Sequence, residues 1–468
     1  MDFTFDADVA SAKVSKFGEV DSSGYLNISP NGTQQAINFK LVKNEVGEWR
    51  IKELADGILL TANDVDRSFN GYPVYFLSPD RKKLVADTVL LPQTVTGSAT
   101  ALMRALLAGQ SNNLAFATVS AFPTGTKLSY ESVPVDKGVA TVDLTEQVLS
   151  ADQATRAQMC AQIVWTLSAL QNVSSVEIHV SGQPFAPSGL TAIQRTSDWE
   201  TFNPQQFDGQ ELIHYVRGSQ VFSLDLNGVE SLVTQTNPNS KIEIGQAKGA
   251  IDGGGVAAVS KDGKQVLLST GRGGELKVVA TGDSITKPTW DQQGSVFFAD
   301  YGVGIFEYNS KGQTRAVGFD TSNYGLVTQV RRIAVAKDGV RIAIVISNGS
   351  TDYLIAGAIA KSPESTRIVG LHPLERNITS VQDLVWQSPT SIAVLGSDQS
   401  GGNLIYDVDL STGTSSSVPA PLNAQSLASS IAKQLYVGTT SGSKSTIAKQ
   451  SGALWSDVVA GYSPYLSK

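Results

Sequence analysis

A chain of 468 residues exceeds what one core can bury, because single cores stop growing at roughly 250–300 residues and longer chains divide, so at least two domains are expected. Only 17% of residues are charged, and 43 glycines accompany a polar surface of Ser, Thr, Asn and Gln, a balance that suits short strands and turns better than helices laced with ion pairs. The net charge of −7 gives no basic field to gather phosphates, which argues against nucleic acid and anionic lipid surfaces as partners.

The single cysteine, Cys160, excludes an intramolecular disulfide and a cysteine-based metal cluster. It lies in the helical pattern Met159-Cys160-Ala161-Gln162-Ile163-Val164, which makes it a buried hydrophobe rather than a reactive thiol. The opening, Met1 to Ala10, is acidic and has neither a basic nor an apolar leader region, and no stretch approaches the roughly 20 apolar residues of a membrane span.

In chain order, the first segment runs to about Asn70. Alternation over Ala36–Val42 predicts a strand and Trp49–Leu54 a second, joined across Asn44–Gly47 as a hairpin. One hairpin buries too little apolar surface to fold alone, so the segment is expected to be the tail of a larger domain.

The second segment, Tyr72 to Phe185, alternates strand and helix. Tyr75-Phe76-Leu77 opens as a strand. Thr96 is the expected cap of a helix whose apolar stripe is Leu102, Met103, Leu106 and Leu107, stopped by Gly109. Strands are expected over Ala115–Ala121 and Val139–Leu144. Ser150-Ala151-Asp152-Gln153 reads as a capping box opening a helix that presents Met159, Ile163, Val164 and Leu167 to a sheet. Val176–Val180 then alternates as an edge or half-buried strand. The order β-α-β-β-α-β predicts a compact α+β domain.

The third segment, from about Trp199, repeats. Phe222–Gly228, Phe306–Gly312 and Tyr406–Gly413 are each an aromatic-led strand running into an Asp/Asn and Gly turn. Val259-Ser260-Lys261-Asp262-Gly263 matches Val335-Ala336-Lys337-Asp338-Gly339, and the Trp-led starts at Trp290 and Trp386 match each other. Hairpin turns count six units roughly 30–54 residues apart, near the period of propeller blades, so a β-propeller of about six blades is expected. A β-helix or a pair of sandwiches is the alternative, since the units are uneven. Closure needs a last strand to meet the first, for which Ile447–Val459 or the strands near Leu212–Val216 are the candidates.

The sequence offers little for chemistry. His179, His214 and His372 show no metal-ligand spacing; the first two fall in strands and His372 precedes Pro373 in a turn. There is no Gly-x-Ser-x-Gly elbow or Walker loop, and Gly253-Gly254-Gly255 and Gly271-Arg272-Gly273-Gly274 read as blade turns. Asp407 and Asp409 alternate on one strand and share a face, which a general acid and base or a calcium site could use, but no full oxygen-ligand loop surrounds them. Trp290 and Trp386 could stack sugars, yet their recurrence at matching positions favours packing between blades. Arg331-Arg332 reads as a solvated pair, and Asn377-Ile378-Thr379 is a glycosylation triplet that matters only in a glycosylating host. No catalytic, cofactor or metal site is therefore assigned, the partner-binding residues are left open, and the chain is expected not to be an enzyme.

Four stretches of the middle segment resemble the GerMN domain of spore-germination proteins: Gly97–Leu102, Phe122–Leu128, Val139–Leu144 and Gln162–Leu167. A GerMN domain followed by a propeller resembles the actinobacterial LpqB lipoprotein family, and Gly47-Glu48-Trp49-Arg50-Ile51 is then similar to the tail of that family's NTF2-like N-terminal domain. The resemblance implies a multidomain, mainly β protein: a partial NTF2-like α+β segment over 1–70, a GerMN-like α+β domain over 71–190 and a β-propeller over 191–468. It also implies a lipoprotein on the outer face of the cytoplasmic membrane that binds the extracytoplasmic region of a sensor histidine kinase of the MtrA–MtrB type. The role implied is to modulate two-component signalling in cell-wall homeostasis and division. Cys160 lies too deep to carry a lipid, so either the chain begins after the anchor or the protein lacks one, and the partial domain at the N-terminus favours the former. The alternatives are a propeller that binds cell-wall glycan or peptidoglycan and a carboxylate-dependent glycoside hydrolase or lyase.

Overall fold

The computed structural model describes residues 2–29, 33–93, 97–204, 211–271, 273–322, 329–375, 377–410, 414–430 and 432–467. Thr96, Arg272 and Ser411-Thr412-Gly413, each given a role above, lie outside the described residues.

The N-terminal part is an antiparallel sheet of Asp2–Asp6, Val9–Ser15, Gln34–Lys43 and Trp49–Leu54, in that order. The expected hairpin is there: Asn44 accepts the amides of Val46 and Glu48, and Gly47 takes the positive φ the turn requires. Phe5, Ala10, Phe39 and Leu54 face one another across the four strands and so share one face of the sheet. Among the described residues that face is largely uncovered, with Phe5 at 77% exposure. Anchoring to the next domain comes from Tyr25, which bridges Val89 and donates its hydroxyl to the Gly109 carbonyl at 2.9 Å.

The middle domain packs a hairpin, Phe69–Leu77 with Leu84–Pro92, and a small sheet around helices Ser98–Ala108 and Gln153–Leu167. The expected apolar stripes point into one core, where Leu102, Met103, Leu106, Met159, Ile163, Val164 and Leu167 are buried. Val139–Leu144 and Ser175–Val180 pair in parallel across the second helix, forming a β-α-β unit. Of the two placements expected for Val176–Val180, the half-buried one holds, and the strand sits inside its sheet instead of at an edge. Three details differ from expectation. Leu84–Pro92 is an additional strand. Ala115–Ala121 is a loop with one bridge, Val119 to Leu77, because Leu114 and Ala117 turn outward to pack on the propeller. The second helix is capped by Asp152, which accepts the Thr155 amide at 2.7 Å, while Ser150 ends a preceding 3-10 turn and donates to the Gln147 carbonyl.

The remainder is a closed propeller of six four-stranded blades. Blade 1 comprises Tyr462–Ser467, Leu212–Arg217, Gln220–Leu224 and Glu230–Thr236; blade 2, Ile244–Gly249, Gly255–Ser260, Gln265–Thr270 and Glu275–Thr281. Blade 3 comprises Thr289–Trp290, Val296–Asp300, Gly304–Tyr308 and Thr314–Gly318; blade 4, Gln329–Val335, Arg341–Ser347, Asp352–Lys361 and Thr366–Glu375. Blade 5 comprises Ser380–Ser388, Ser391–Ser397, Leu404–Asp409 and Thr414–Pro419; blade 6, Ala424–Ser429, Leu435–Ser441, Lys444–Ser451 and Leu454–Ala460. The closing strand is Tyr462–Ser467, which pairs with Leu212–Arg217; of the two candidates the latter is its partner, and Ile447–Val459 belongs to blade 6. The three aromatic-led hairpins occupy the third strand of blades 1, 3 and 5. The Lys-Asp-Gly pair is out of phase, following the second strand of blade 2 but the first strand of blade 4, so its likeness is one of turn chemistry.

Apolar clusters lie between adjacent blades all round the ring, as where Phe297 and Ala299 meet Val330 and Ile333. Side chains also peg inner strands to neighbours. The Val335 amide donates to Thr289 Oγ1 at 3.1 Å, Leu427 to Asp383 at 2.9 Å and Ala247 to Ser463 at 3.1 Å. Gly249 is required here, since a Cβ would sit 2.7 Å from the Tyr465 ring of the next inner strand.

Candidate functional site

The inner strands of the ring end around a cavity of about 60 Å³ at one mouth of the channel. It is lined by Lys248, Lys287 and Lys337 from blades 2, 3 and 4 and by Glu211, together with Trp290, Ile333, Trp386 and Leu466. Ala247 and Gly249 point into the joint with blade 1, so Lys248 between them leaves from the opposite face of the strand, where it lines the cavity. The neighbouring lysines are held by acids. Lys287 reaches across the channel to Asp383 of blade 5 at 3.0 Å, and Lys337 pairs with Glu211 at 2.5 Å. Lys248 has no such partner; its ammonium makes no hydrogen bond or ion pair with the described residues. Burial, then the charges of Lys287 and Lys337, push its pKa down to about 7.

The indoles frame the cavity rather than offering open faces. Trp290 donates to the Lys248 carbonyl at 3.0 Å and Trp386 to the Ala334 carbonyl at 2.9 Å, each tying its blade to the one before. Both are buried among apolar side chains of the preceding blade, which fits packing between blades.

Few of the other residues weighed in the sequence meet at a site. Asp407 and Asp409 share a face on the third strand of blade 5, remote from the channel; Asp407 pairs with Lys433 of blade 6 at 3.0 Å. His179 pairs with Glu177 on its own strand, and His214 stacks on Tyr465 of the closing strand with centroids 4.9 Å apart. His372 lies within the strand Thr366–Glu375 instead of a turn, its Nδ1 2.7 Å from the Gly370 carbonyl, and burial lowers its pKa. Arg331 and Arg332 are not a solvated pair: Arg331 binds the buried Asp352 at 3.1 Å, and Arg332 donates to the Gln382 carbonyl at 2.8 Å. The Cys160 thiol is buried and pushed up to about 12 by desolvation, as a packing residue should be. Ile378 of the glycosylation triplet is buried in the joint between blades 4 and 5. Both glycine-rich stretches are blade turns where described. No group of three His, Cys, Asp or Glu side chains placed to hold a metal occurs among the described residues.

The lysines escaped the sequence reading because they share no register: Lys248 lies within the inner strand of blade 2, Lys287 just before that of blade 3 and Lys337 just after that of blade 4.

A second feature is the joint between middle domain and propeller. Val85, Leu114 and Ala117 pack against Val340 and Ala358, and Gly370 approaches so closely that a Cβ would lie 2.6 Å from the Asn113 carbonyl oxygen. Tyr25, Asp87, Arg341 and His372 line a small cavity beside it, where Asp87 accepts the Ser111 amide at 2.8 Å and burial raises its pKa. All three parts of the chain therefore meet at one place.

Three family models match the chain in series: the lipoprotein LpqB N-terminal domain over residues 4–66, the sporulation and spore germination domain over 73–186, and the lipoprotein LpqB beta-propeller domain over 221–466. The chain belongs to the lipoprotein LpqB family. Lipoprotein LpqB of Thermobifida fusca is 27% identical over 443 residues, covering 85% of this chain and 70% of that protein. Lipoprotein LpqB of Cutibacterium acnes is 24% identical over 445 residues, covering 90% and 74%. Among solved structures, the first GerMN domain of the sporulation protein GerM from Bacillus subtilis is similar over 26% of this chain and 91% of that domain, at 18% identity and a TM-score of 0.23. As an LpqB family member the chain is an envelope-associated protein, with a GerMN-like domain and a propeller. No described helix is long and apolar enough to cross a membrane.

Proposed function

We propose that this LpqB family member is a non-catalytic docking protein at the outer face of the cytoplasmic membrane. In this reading it binds the extracytoplasmic region of a sensor histidine kinase of the MtrA–MtrB type and adjusts two-component signalling in cell-wall homeostasis and division. The order of three matched domains, joined as one body, carries the reading. The joint at Gly370 fixes GerMN-like domain and propeller against each other, so they offer a partner one composite surface in a set orientation.

The two alternatives have less behind them. A glycan would need open indole faces and a cleft longer than a cavity of about 60 Å³. A glycoside hydrolase needs two carboxyls facing across a pocket at roughly 5–9.5 Å, whereas Asp407 and Asp409 lie along one strand beside Lys433. Calorimetric titration of this chain with the purified kinase sensor domain tests the proposal. Saturable binding supports it; no heat and no co-elution with folded protein refutes it.

A further inference from the structure

The propeller matches its buried cations with care. Lys287 meets Asp383, Lys361 meets Asp291 and Glu307, and Arg341 meets Asp338. Arg332, which has no carboxylate in contact, donates to two carbonyls. Lys248 differs from these cations in having neither carboxylate nor carbonyl among the described residues, and it lines the mouth where two further ammonium groups converge. Around the cavity three ammonium groups face two carboxylates, Glu211 and Asp383, and each carboxylate is already engaged by another lysine. Lys248 is half-buried, and a partly desolvated charge without a partner costs stability.

We propose that this mouth of the channel is a binding site for a compact oxyanion group, the phosphate or carboxylate of a small molecule, seated on Lys248. Lys287 and Lys337 supply the surrounding positive field, and the Trp290 and Trp386 side chains wall the site against water. The size of the cavity sets the ligand class. About 60 Å³ holds a few waters or one tetrahedral or planar anionic group, so any larger part of the ligand extends outward through the mouth. The chemistry agrees, because lysine binds oxyanions as a point charge and a charge-assisted hydrogen bond in a desolvated site is stronger than a neutral one. Bound anion would hold Lys248 in its charged form against the opposing fields of Lys287 and Lys337, with Glu211 and Asp383 acting in the other direction. Binding therefore takes up protons near neutrality and weakens as pH rises. This inference stands independently of the kinase reading, since it concerns a small ligand and the propeller alone.

The test uses the full chain, titrated at constant ionic strength with inorganic phosphate in one arm and acetate in the other, and followed by tryptophan fluorescence, since two indoles line the cavity. A saturable change with phosphate, acetate or both is expected, and the responding arm identifies the anion class. Lys248→Met and Lys248→Gln should each weaken the apparent affinity by about tenfold or more. Lys433→Met, on the surface between blades 5 and 6, should leave it unchanged. No saturable change in either arm, or equal affinity in the Lys248 variants, overturns the proposal. Equal loss in Lys433→Met also overturns it, because the response would then come from surface charge.

Discussion

Replacing Lys248 by methionine should stabilise the propeller, by an amount that depends on pH. Burial and the two facing lysines bring the amine from its ordinary value of 10.5 down to about 7, which disfavours its charged form by roughly 5 kcal/mol as a ceiling. Below about pH 7 the folded chain carries that penalty in full. Between about pH 7 and about 10.5 the unfolded chain binds the proton and the folded chain does not, so wild-type stability rises with pH and the penalty is gone at the upper end. Methionine keeps the length and flexibility of the side chain without its charge. Lys248→Met should therefore exceed wild type by about 2–5 kcal/mol near pH 6, and the two should converge towards pH 10. Guanidinium unfolding of both proteins, followed by the propeller's tryptophan signal at a series of pH values, measures the difference. A difference that stays constant with pH would refute the reasoning, because it would show that packing and not ionisation separates the two proteins.

Three further outcomes follow from the architecture. Gly370→Ala places a Cβ 2.6 Å from the Asn113 carbonyl oxygen at a backbone φ of +62°, so it should weaken the joint by about 1–3 kcal/mol; faster proteolysis between domains, with each domain's own unfolding unchanged, is the signature. Asp383→Asn strands Lys287 without its carboxylate and weakens the tie to the Leu427 amide, and should cost about 3–5 kcal/mol in chemical denaturation. Removing Tyr462–Ser467 takes away the inner strand of blade 1 and the Tyr465 ring stacked on His214, so the ring should lose its cooperative melting transition while the GerMN-like domain keeps its own.

What the sequence showed of this fold was what short-range chemistry encodes. The aromatic strand and Asx-Gly turn at Phe222–Gly228 and Phe306–Gly312 recur because each third strand must reverse tightly at the same place in its blade, and the spacing of those turns gave six blades. The helix stripes at Leu102–Leu106 and Met159–Leu167 were legible for the same reason, a local period meeting a core. Errors arose where a distant contact overrides the local pattern. Ala115–Ala121 has the apolar content of a strand, but Leu114 and Ala117 spend it on the propeller. The closing strand Tyr462–Ser467 carries no mark of its role, because closure is a relation between two ends of a ring.

The channel lysines were hidden by the same geometry that gives them meaning. In an open sheet, a lysine alternating with Ala247 and Gly249 reads as the solvent side of a half-buried strand, which is the bland and usual outcome. Closing six inner strands around one axis turns that solvent side inward, so the face that would have been wet becomes the wall of a cavity. Arg331-Arg332 differs from its sequence reading through contacts beyond its own strand: Arg331 pairs with Asp352 of the same blade, and Arg332 donates to the Gln382 carbonyl of the next. The difference among the lysines is the informative part. Other parts of the ring supply Lys287 and Lys337 with acids in direct contact, whereas Lys248 feels the charges of both lysines and both acids but touches none of the carboxylates. The fold gives Lys287 and Lys337 acids from its own chain and leaves Lys248, half-buried at the cavity, without one among the described residues, and an oxyanion entering by the channel mouth is an acceptor that fits the space.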